Sequence, residues 1–395
     1  MTRRTCLASL TGAFTAATRQ ARSATVLDLD PFSIDRIHEI HLRLPAADWA
    51  QLRATYLENT WYNCQFSFDG ITASAAIRSR GNGSRDGLKP GLKISFKRPG
   101  CEPFLDLDSL VLGNHKQDGS GLKDGLSYEL FRRMGIPAPR LGYARVIVNG
   151  EYWGLYSVVE DIETAFLKKT YGRADGYLYE YSWVDEWGFE MRGSDPSSYV
   201  PSPFEPKTNT KAPEAVALHG LVNTINHAAD GDFSQCMAEC LDVRQFLRFI
   251  AAETFTDDRD SILGDWGMNN IYFHRLPAEK RFSVIAWDKN WSFFDWRQPI
   301  LRNAQSNVLV RRLLARPAWR EFLKAELERV IEVAGSAGGW MEREATTRGA
   351  LIYTASVADP RRLTGMGRIE DGLPHLIEFA QRRGDYVRSI IHSTL

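Results

Sequence analysis

The second half of the chain contains oxygen-bearing side chains whose types and spacing suit phosphoryl transfer. Four residues separate Asp265 from Asn270, and Asp288 follows 23 residues after Asp265. In phosphoryl transfer a carboxylate orients the acceptor hydroxyl, while Asp and Asn oxygens hold Mg²⁺ against the phosphates. The spacing therefore favours a shared functional role for Asp265, Asn270 and Asp288 in phosphoryl transfer.

Three further aspartates, at positions 257, 258 and 260, lie just before this group. Asp and Asn side chains often only cap turns, and that structural role is favoured for Asp257 and Asp258. Asp260 lies ten residues before Asn270, so an alternative alignment would give it the catalytic role. Asp265 is preferred because its separations along the chain from Asn270, five positions, and from Asp288, 23 positions, both suit the phosphoryl-transfer pattern.

A Gly-rich segment in the first half is the second candidate group. It has the sequence Arg-Gly-Asn-Gly-Ser-Arg over residues 80–85, and Lys93 follows on a predicted strand. A Gly-rich turn lets backbone amides approach phosphate oxygens, and a lysine on the next strand adds positive charge. The segment is not a P-loop, and alone such a pattern is more often a β-turn.

Two kinds of element are needed to position these groups. In the first half, short alternating runs predict strands, with a hairpin turn at Asn149-Gly150. A helix is predicted over residues 124–134, where apolar residues recur at helical spacing. The second half is mostly helical but contains a hairpin over residues 270–286, one end of which would bring Asn270 and Asp288 together. The fold class is therefore predicted to be α+β.

Composition and charge exclude several classes of protein. The chain has 395 residues, 49 basic and 49 acidic, and therefore no global charge that would attract nucleic acid. Its five cysteines include no Cys-x-x-Cys pair, which argues against a zinc knuckle. No apolar run approaches the ~18 residues that a transmembrane helix needs.

The first 30 residues are interpreted as a tail or a possible export signal. Thr2-Arg3-Arg4 precedes a mildly apolar stretch and then Ala21-Arg22-Ser23-Ala24, which is similar to a twin-arginine signal. A disordered leader is an equally good interpretation. Export and a cytoplasmic location therefore both remain open.

Four motifs, in order, resemble those of the CotH (spore coat protein H) kinase family. The resemblance runs from about residue 37 to residue 295, with a family-like C-terminal helix beyond it. The motifs are Arg-Gly-Asn-Gly-Ser with Lys-x-Ser-Phe-Lys (80–84 and 93–97), Tyr-Glu-Leu-Phe-Arg-Arg-Met-Gly-Ile-Pro (128–137), Asn-Gly-Glu-Tyr-Trp-Gly-Leu-Tyr with Val-Glu (149–156 and 159–160), and Asp265 with Asn-Ile-Tyr-Phe and Trp-Asp (270–273 and 287–288).

This resemblance implies an atypical protein-kinase fold with two lobes. The β-rich N-terminal lobe would span residues 31–165. The α-rich C-terminal lobe would span residues 166–395 and carry the catalytic and metal-binding segment, 257–295. The implied activity is transfer of the ATP γ-phosphate, with Mg²⁺ or Mn²⁺, to Ser or Thr residues of a partner protein.

The resemblance also implies roles for individual residues. Asp265 would be the catalytic carboxylate, and Asp288 and Asn270 would hold the metal. Lys93 would contact the α- and β-phosphates, and by kinase logic Glu129 could pair with it. The predicted cofactor-binding set is Lys93, Arg80, Asn82, Ser84 and Glu160.

The chain departs from the family pattern beside the metal-binding aspartate. Asn290 replaces the usual second acidic residue, and Lys289 precedes it. A lysine pointing toward the metal would weaken Mg²⁺ binding. The alternative function is therefore a weak or inactive pseudokinase acting as a surface, coat or scaffold protein. A small-molecule kinase on the same fold is a weaker third hypothesis.

Overall fold

A computed structural model describes residues 29–395, so the candidate export signal lies outside the described residues. All the elements discussed below belong to one compact unit, Pro31–Leu395.

Seven strands of the described chain close into a barrel. They are β1 (His38–Arg43), β2 (Tyr62–Phe68), β3 (Ile71–Ser79), β4 (Leu92–Ser95), β5 (Ser109–Gly113), β6 (Leu141–Val148) and β7 (Glu151–Glu160). Their order is β1-β2-β3-β4-β5-β7-β6, and the parallel pairing of β1 with β6 closes it. Alternate residues such as Cys64, Phe66 and Phe68 are buried, as expected for strands with one face toward a core.

Two helices interrupt the barrel strands, α1 (Ala46–Ala54) and α2 (Lys123–Arg133). The sequence pattern of α2 has apolar residues on one side, and Leu126, Leu130 and Phe131 are buried there. The helix ends at Arg133, and Gly135, two residues further on, has φ +77°, a conformation that glycine adopts without strain. In the chain, α2 follows β5 after a nine-residue segment, residues 114–122.

The second half contains a four-stranded sheet surrounded by helices. The sheet has the order β11-β10-β8-β9, with β8 (Tyr177–Tyr181), β9 (Phe204–Pro206), β10 (Ile271–Arg275) and β11 (Ser283–Ala286). The helices are α3 (Thr164–Tyr171), α4 (Ala215–His227), α5 (Phe233–Cys240), α6 (Val243–Phe255), α7 (Val308–Leu314), α8 (Pro317–Ala334), α9 (Trp340–Val357) and α10 (Ile369–Thr394). Helix α2 packs against β6 and also against α6, α8 and α9, so it connects both parts.

The structure confirms the mixed α+β composition, with a β-rich N-terminal part and a helical C-terminal part. The predicted hairpin turn is also present, with Asn149 at φ +52° and Gly150 at φ +86°. The closed barrel was not predicted, because its parallel β1–β6 pairing joins strands about 100 residues apart. The division at residue 165 remains a prediction.

No helix within residues 29–395 is both long enough and apolar enough to cross a bilayer.

Candidate active site

A polar cleft is lined by residues of the barrel and of the four-stranded sheet. Its volume is about 520 Å³. The barrel contributes Arg80, Asn82 and Lys93 to its wall, and the sheet side contributes Asn270 and Asp288. Five of the predicted site residues, from both halves of the sequence, therefore line one cleft.

Asn270 and Asp288 are placed by the β10–β11 hairpin. They flank the paired residues Ile271 and Ala286, so both lie at the same end of the hairpin. Both have positive φ, +54° for Asn270 and +46° for Asp288. Asn and Asp tolerate this left-handed conformation better than most residues, and it turns the two side chains toward the cleft at the end of the strands.

Asp288 is a buried carboxylate in a mixed electrostatic environment. Burial raises its pKa to about 6, the Arg80 guanidinium opposes that shift, and the Asp260 carboxylate adds to it. The side-chain amide of Asn290 donates to Asp288 Oδ1 at 2.5 Å. A carboxylate in this setting would gain from a bound cation, because the cation compensates for the lost hydration.

Arg80 lies over the cleft from the barrel side. Its guanidinium carbon is 4.8 Å from the centre of the Trp287 ring, a cation–π contact. Burial alone would lower its pKa, but the carboxylates of Asp288 and Asp161 outweigh burial and raise it. Arg80 therefore stays charged above Asp288, where an anion could bridge it to a metal ion.

Lys93 projects into the same cleft from β4. Its Nζ atom is 2.6 Å from Asp161 Oδ2 and also pairs with Glu163. Burial would lower the lysine pKa, but these two carboxylates raise it. The predicted partner was wrong: Glu129 pairs with Arg132 and Arg133 of its own helix.

The structure separates Asp265 from the other predicted site residues. Asp265 pairs with Arg302 at 3.1 Å and lines a different hollow, together with Trp187 and Met268. Asp260 is the aspartate that contacts Asn270. The Asn270 side-chain amide donates to the Asp260 backbone oxygen at 2.9 Å and to Asp260 Oδ2 at 2.8 Å.

Asp257 and Asp258 have the structural roles favoured by the sequence. Asp257 Oδ2 accepts a hydrogen bond from the Asp295 amide at 3.0 Å. Asp258 pairs with Lys289 at 3.0 Å, with both side chains fully buried. Lys289 therefore points into the protein, away from the position that would weaken metal binding most.

Two predicted cofactor-binding residues lie outside the main cleft. Glu160 pairs with Arg140 at 2.7 Å, next to the end of β7. Ser84 lines a small neighbouring cavity of about 60 Å³, which shares Arg80 and Asp288 with the main cleft. Ser84 is therefore near the site, and Glu160 supports the segment that follows it.

Sequence reasoning missed several cleft residues. Asp161 and Glu163 follow β7 directly, and Glu180 and Tyr272 are register partners on β8 and β10. The run of acidic residues after Val159 was a usable signal for the first two. Glu180 could not have been found, because β8 itself was not predicted.

The donor atoms present suit Mg²⁺ or Mn²⁺ only with help from a ligand. Among residues 29–395, no group of three His, Cys, Asp or Glu side chains is placed to hold a metal ion. Asp288 and Asn270 supply hard oxygen donors, and Mg²⁺ commonly uses one or two carboxylates plus phosphate oxygens and water. The buried Asp288 carboxylate facing the cleft therefore fits a cation that arrives with a polyphosphate.

A family model described as "CotH kinase protein" matches residues 77–387. The chain belongs to the CotH kinase family. This confirms the resemblance found in the sequence motifs, and the matched segment includes the cleft residues on both the barrel and the sheet.

Curated members of the CotH family extend this similarity. "Inner spore coat protein H" of Bacillus subtilis (strain 168) is 24% identical over 324 residues, covering 79% of this chain and 86% of that protein. "Inner spore coat protein H-like protein" of the same organism is 21% identical over 241 residues, covering 61% of this chain and 67% of that protein.

Two solved structures also align with this CotH-family chain. The Helicobacter pylori proinflammatory kinase CtkA aligns with 80% of this chain and 97% of its own, at 9% identity and a TM-score of 0.35. HipA of the Shewanella oneidensis MR-1 HipA–HipB–operator complex covers 79% of this chain and 68% of its own, at 12% identity and a TM-score of 0.38.

Proposed function

We propose that this chain is an active protein kinase with an atypical two-lobed fold. ATP with Mg²⁺ or Mn²⁺ binds in the cleft, and the γ-phosphate passes to a Ser or Thr hydroxyl of a partner protein. One observation supports this most strongly: Arg80 and Lys93 from the barrel line the same cleft of about 520 Å³ as Asn270 and Asp288.

Each of these side chains has a task in phosphoryl transfer. Asp288 and Asn270 hold the cation, which neutralises charge on the phosphates when it is bound. Lys93 and Arg80 supply fixed positive charge to phosphate oxygens. Asn82 lies in the Gly-rich segment on the same wall, where its side-chain amide would offer a further donor to a phosphate oxygen.

Asp260, rather than Asp265, is the carboxylate we propose for orienting the acceptor hydroxyl. The Asn270 side-chain amide donates to both the backbone oxygen and the carboxylate of Asp260, so Asp260 is held beside a proposed metal ligand. The hydroxyl oxygen forms a bond to the γ-phosphorus as the bond to the bridging oxygen of ADP breaks, and the hydroxyl proton passes to Asp260.

A second candidate is a nucleotide-binding coat or scaffold protein without turnover. Lys93 is already neutralised by Asp161 and Glu163, so phosphates must compete with two carboxylates for it. The two curated Bacillus subtilis relatives are named as spore coat proteins. The two functions differ in whether phosphate is transferred to an acceptor protein.

A binding and transfer experiment separates the two. ATP with Mg²⁺ at 100 times its Kd should stabilise the protein by about 2.7 kcal/mol, and labelled phosphate should enter a protein acceptor. Asp288→Ala should reduce transfer by about 100-fold or more. The exposed Asp371→Ala serves as the control and should leave transfer unchanged. Stabilisation without transfer to any protein acceptor would favour the scaffold function, and no stabilisation would contradict both.

A further inference from the structure

Lys289 is a lysine buried directly beside the proposed metal-binding aspartate. Its side chain is 0% exposed, and its Nζ atom is 3.0 Å from Asp258 Oδ2, which is equally buried. Nζ also donates to Ser261 Oγ at 2.8 Å. Burying a lysine and an aspartate together costs desolvation energy, and such a pair gains little stability over apolar residues of the same volume. The pair therefore needs an explanation other than stability.

The partners of Lys289 lie on both sides of Asp260. Asp258 Oδ2 faces Lys289, while Asp258 Oδ1 accepts a hydrogen bond from the Asp260 backbone amide at 3.1 Å. Ser261, on the other side of Asp260, accepts from Lys289. One ammonium group thus holds the turn that carries Asp260 at its two flanking residues.

The backbone next to Lys289 is held from the opposite side by α2. Tyr128 Oη accepts a hydrogen bond from the Asp288 amide at 3.0 Å, and Asp124 Oδ1 accepts from the Lys289 amide at 2.6 Å. Asp124 and Tyr128 are four residues apart, so they share one face of the helix. The Asp288–Lys289 peptide is therefore fixed by α2 while its lysine side chain fixes the Asp260 turn.

We infer that Lys289 is a positioning residue which sets the distance between the carboxylates of Asp260 and Asp288. Without the ammonium group, the turn that carries Asp260 would keep the side-chain hydrogen bonds from Asn269 and Asn270 and the backbone hydrogen bond from the Arg259 amide to the Trp291 oxygen at 2.8 Å, but it would lose its contact with the side chain of residue 289. This inference rests on the proposed function, because a fixed spacing of the two carboxylates matters for holding a cation and an acceptor hydroxyl together.

A double substitution separates positioning from simple structural support. Lys289→Met alone leaves the Asp258 carboxylate buried without its cation and should lower the Tm. Adding Asp258→Asn removes that charge and keeps an oxygen to accept from the Asp260 amide. The Tm of the Lys289→Met/Asp258→Asn variant should therefore return close to the wild-type value.

The decisive measurements on the double variant are made at matched Tm. We expect kcat to fall at least tenfold, the Mg²⁺ concentration for half-maximal ATP binding to rise at least threefold, and amide hydrogen exchange over residues 258–263 to accelerate. A double variant with wild-type kcat, Mg²⁺ dependence and hydrogen exchange would overturn the inference, since the pair would then be structural only.

The second buried Lys–Asp pair of the fold supplies a matched control. Lys89 Nζ is 2.6 Å from Asp359 Oδ2, and both side chains are 2% exposed. The Lys89→Met/Asp359→Asn variant should leave the Mg²⁺ dependence unchanged. An equal rise in the Mg²⁺ concentration for half-maximal ATP binding would show that loss of any buried pair has this effect, and it would overturn the inference.

Wild-type protein that binds no ATP with Mg²⁺ would instead contradict the proposed function, and hydrogen exchange would still report whether Lys289 holds the turn.

Discussion

At the scale of single residues, the contacts of Asp260 distinguish it from Asp265. Asp260→Asn should reduce phosphate transfer by about 100-fold or more, because its carboxylate accepts a hydrogen bond from Asn270, the proposed metal ligand. Asp265→Asn should change transfer little, since that side chain pairs with Arg302 in another hollow. Initial rates with saturating ATP and Mg²⁺ test this. The reverse ranking of the two variants would restore Asp265 as the catalytic carboxylate.

A buried histidine gives the fold a defined sensitivity to acid. Burial lowers the pKa of His274 to about 4, although Asp175 opposes the shift. Between about pH 6.5 and pH 4 the unfolded chain binds a proton at this residue that the folded protein does not, so folding stability falls as the pH falls. At pH 5, this residue should lower the free energy of unfolding by about 2 kcal/mol relative to neutral pH.

Substituting His274 tests this sensitivity. Denaturant unfolding at pH 7.5 and pH 5.0 should show that His274→Gln loses about 2 kcal/mol less stability over this range than the wild type does. His392→Gln, at an exposed position of α10, is the control for removing an imidazole. Equal acid-induced losses in wild type and His274→Gln would show that other groups control the pH dependence.

At the scale of elements, β7 depends on a glycine where it meets the segment after α9. Gly154 has φ +125°, and a Cβ atom there would lie 2.3 Å from Asp359 Oδ1. Gly154→Ala should therefore lower the free energy of unfolding by about 2–4 kcal/mol. Gly220→Ala, in open space on α4, should raise it by about 0.5–1 kcal/mol. Chemical denaturation measures both, and similar effects of the two substitutions would exclude the steric explanation.

The elements that the sequence predicted are those with local signals. The β6–β7 turn follows from Asn149-Gly150, and the β10–β11 hairpin follows from two short apolar runs around a polar turn. These placed Asn270 and Asp288 together correctly. Barrel closure and β8 depend on long-range pairing that no local pattern encodes, so the cleft wall around Glu180 was missed. Asp265 was preferred over Asp260 by spacing alone, and spacing cannot show which way a loop residue points.

At the scale of the whole molecule, the C-terminal helix α10 holds the segments on either side of the candidate site. Arg383 is fully buried, and burial lowers its pKa to about 10. Its guanidinium donates to the backbone oxygens of Phe255 and Thr254 at 2.8 and 2.7 Å, and to that of Trp296 at 2.9 Å. The carbonyls of Thr254 and Phe255 lie at the end of α6, just before the Asp257–Asp260 turn. The carbonyl of Trp296 lies after the Asp288 segment. One side chain of α10 therefore supports both segments at once.

Arg383→Met should test whether this support holds the fold together. The substitution keeps much of the side-chain volume but leaves several buried carbonyls without a donor, so it should cost about 3–5 kcal/mol of unfolding free energy. Arg382→Met removes the same kind of side chain one residue earlier, where it is 52% exposed and pairs with Glu378, and should cost less than about 1 kcal/mol. Urea denaturation of both variants gives the comparison. If the two losses are similar, other elements must hold the 254–258 and 296–298 segments without help from Arg383.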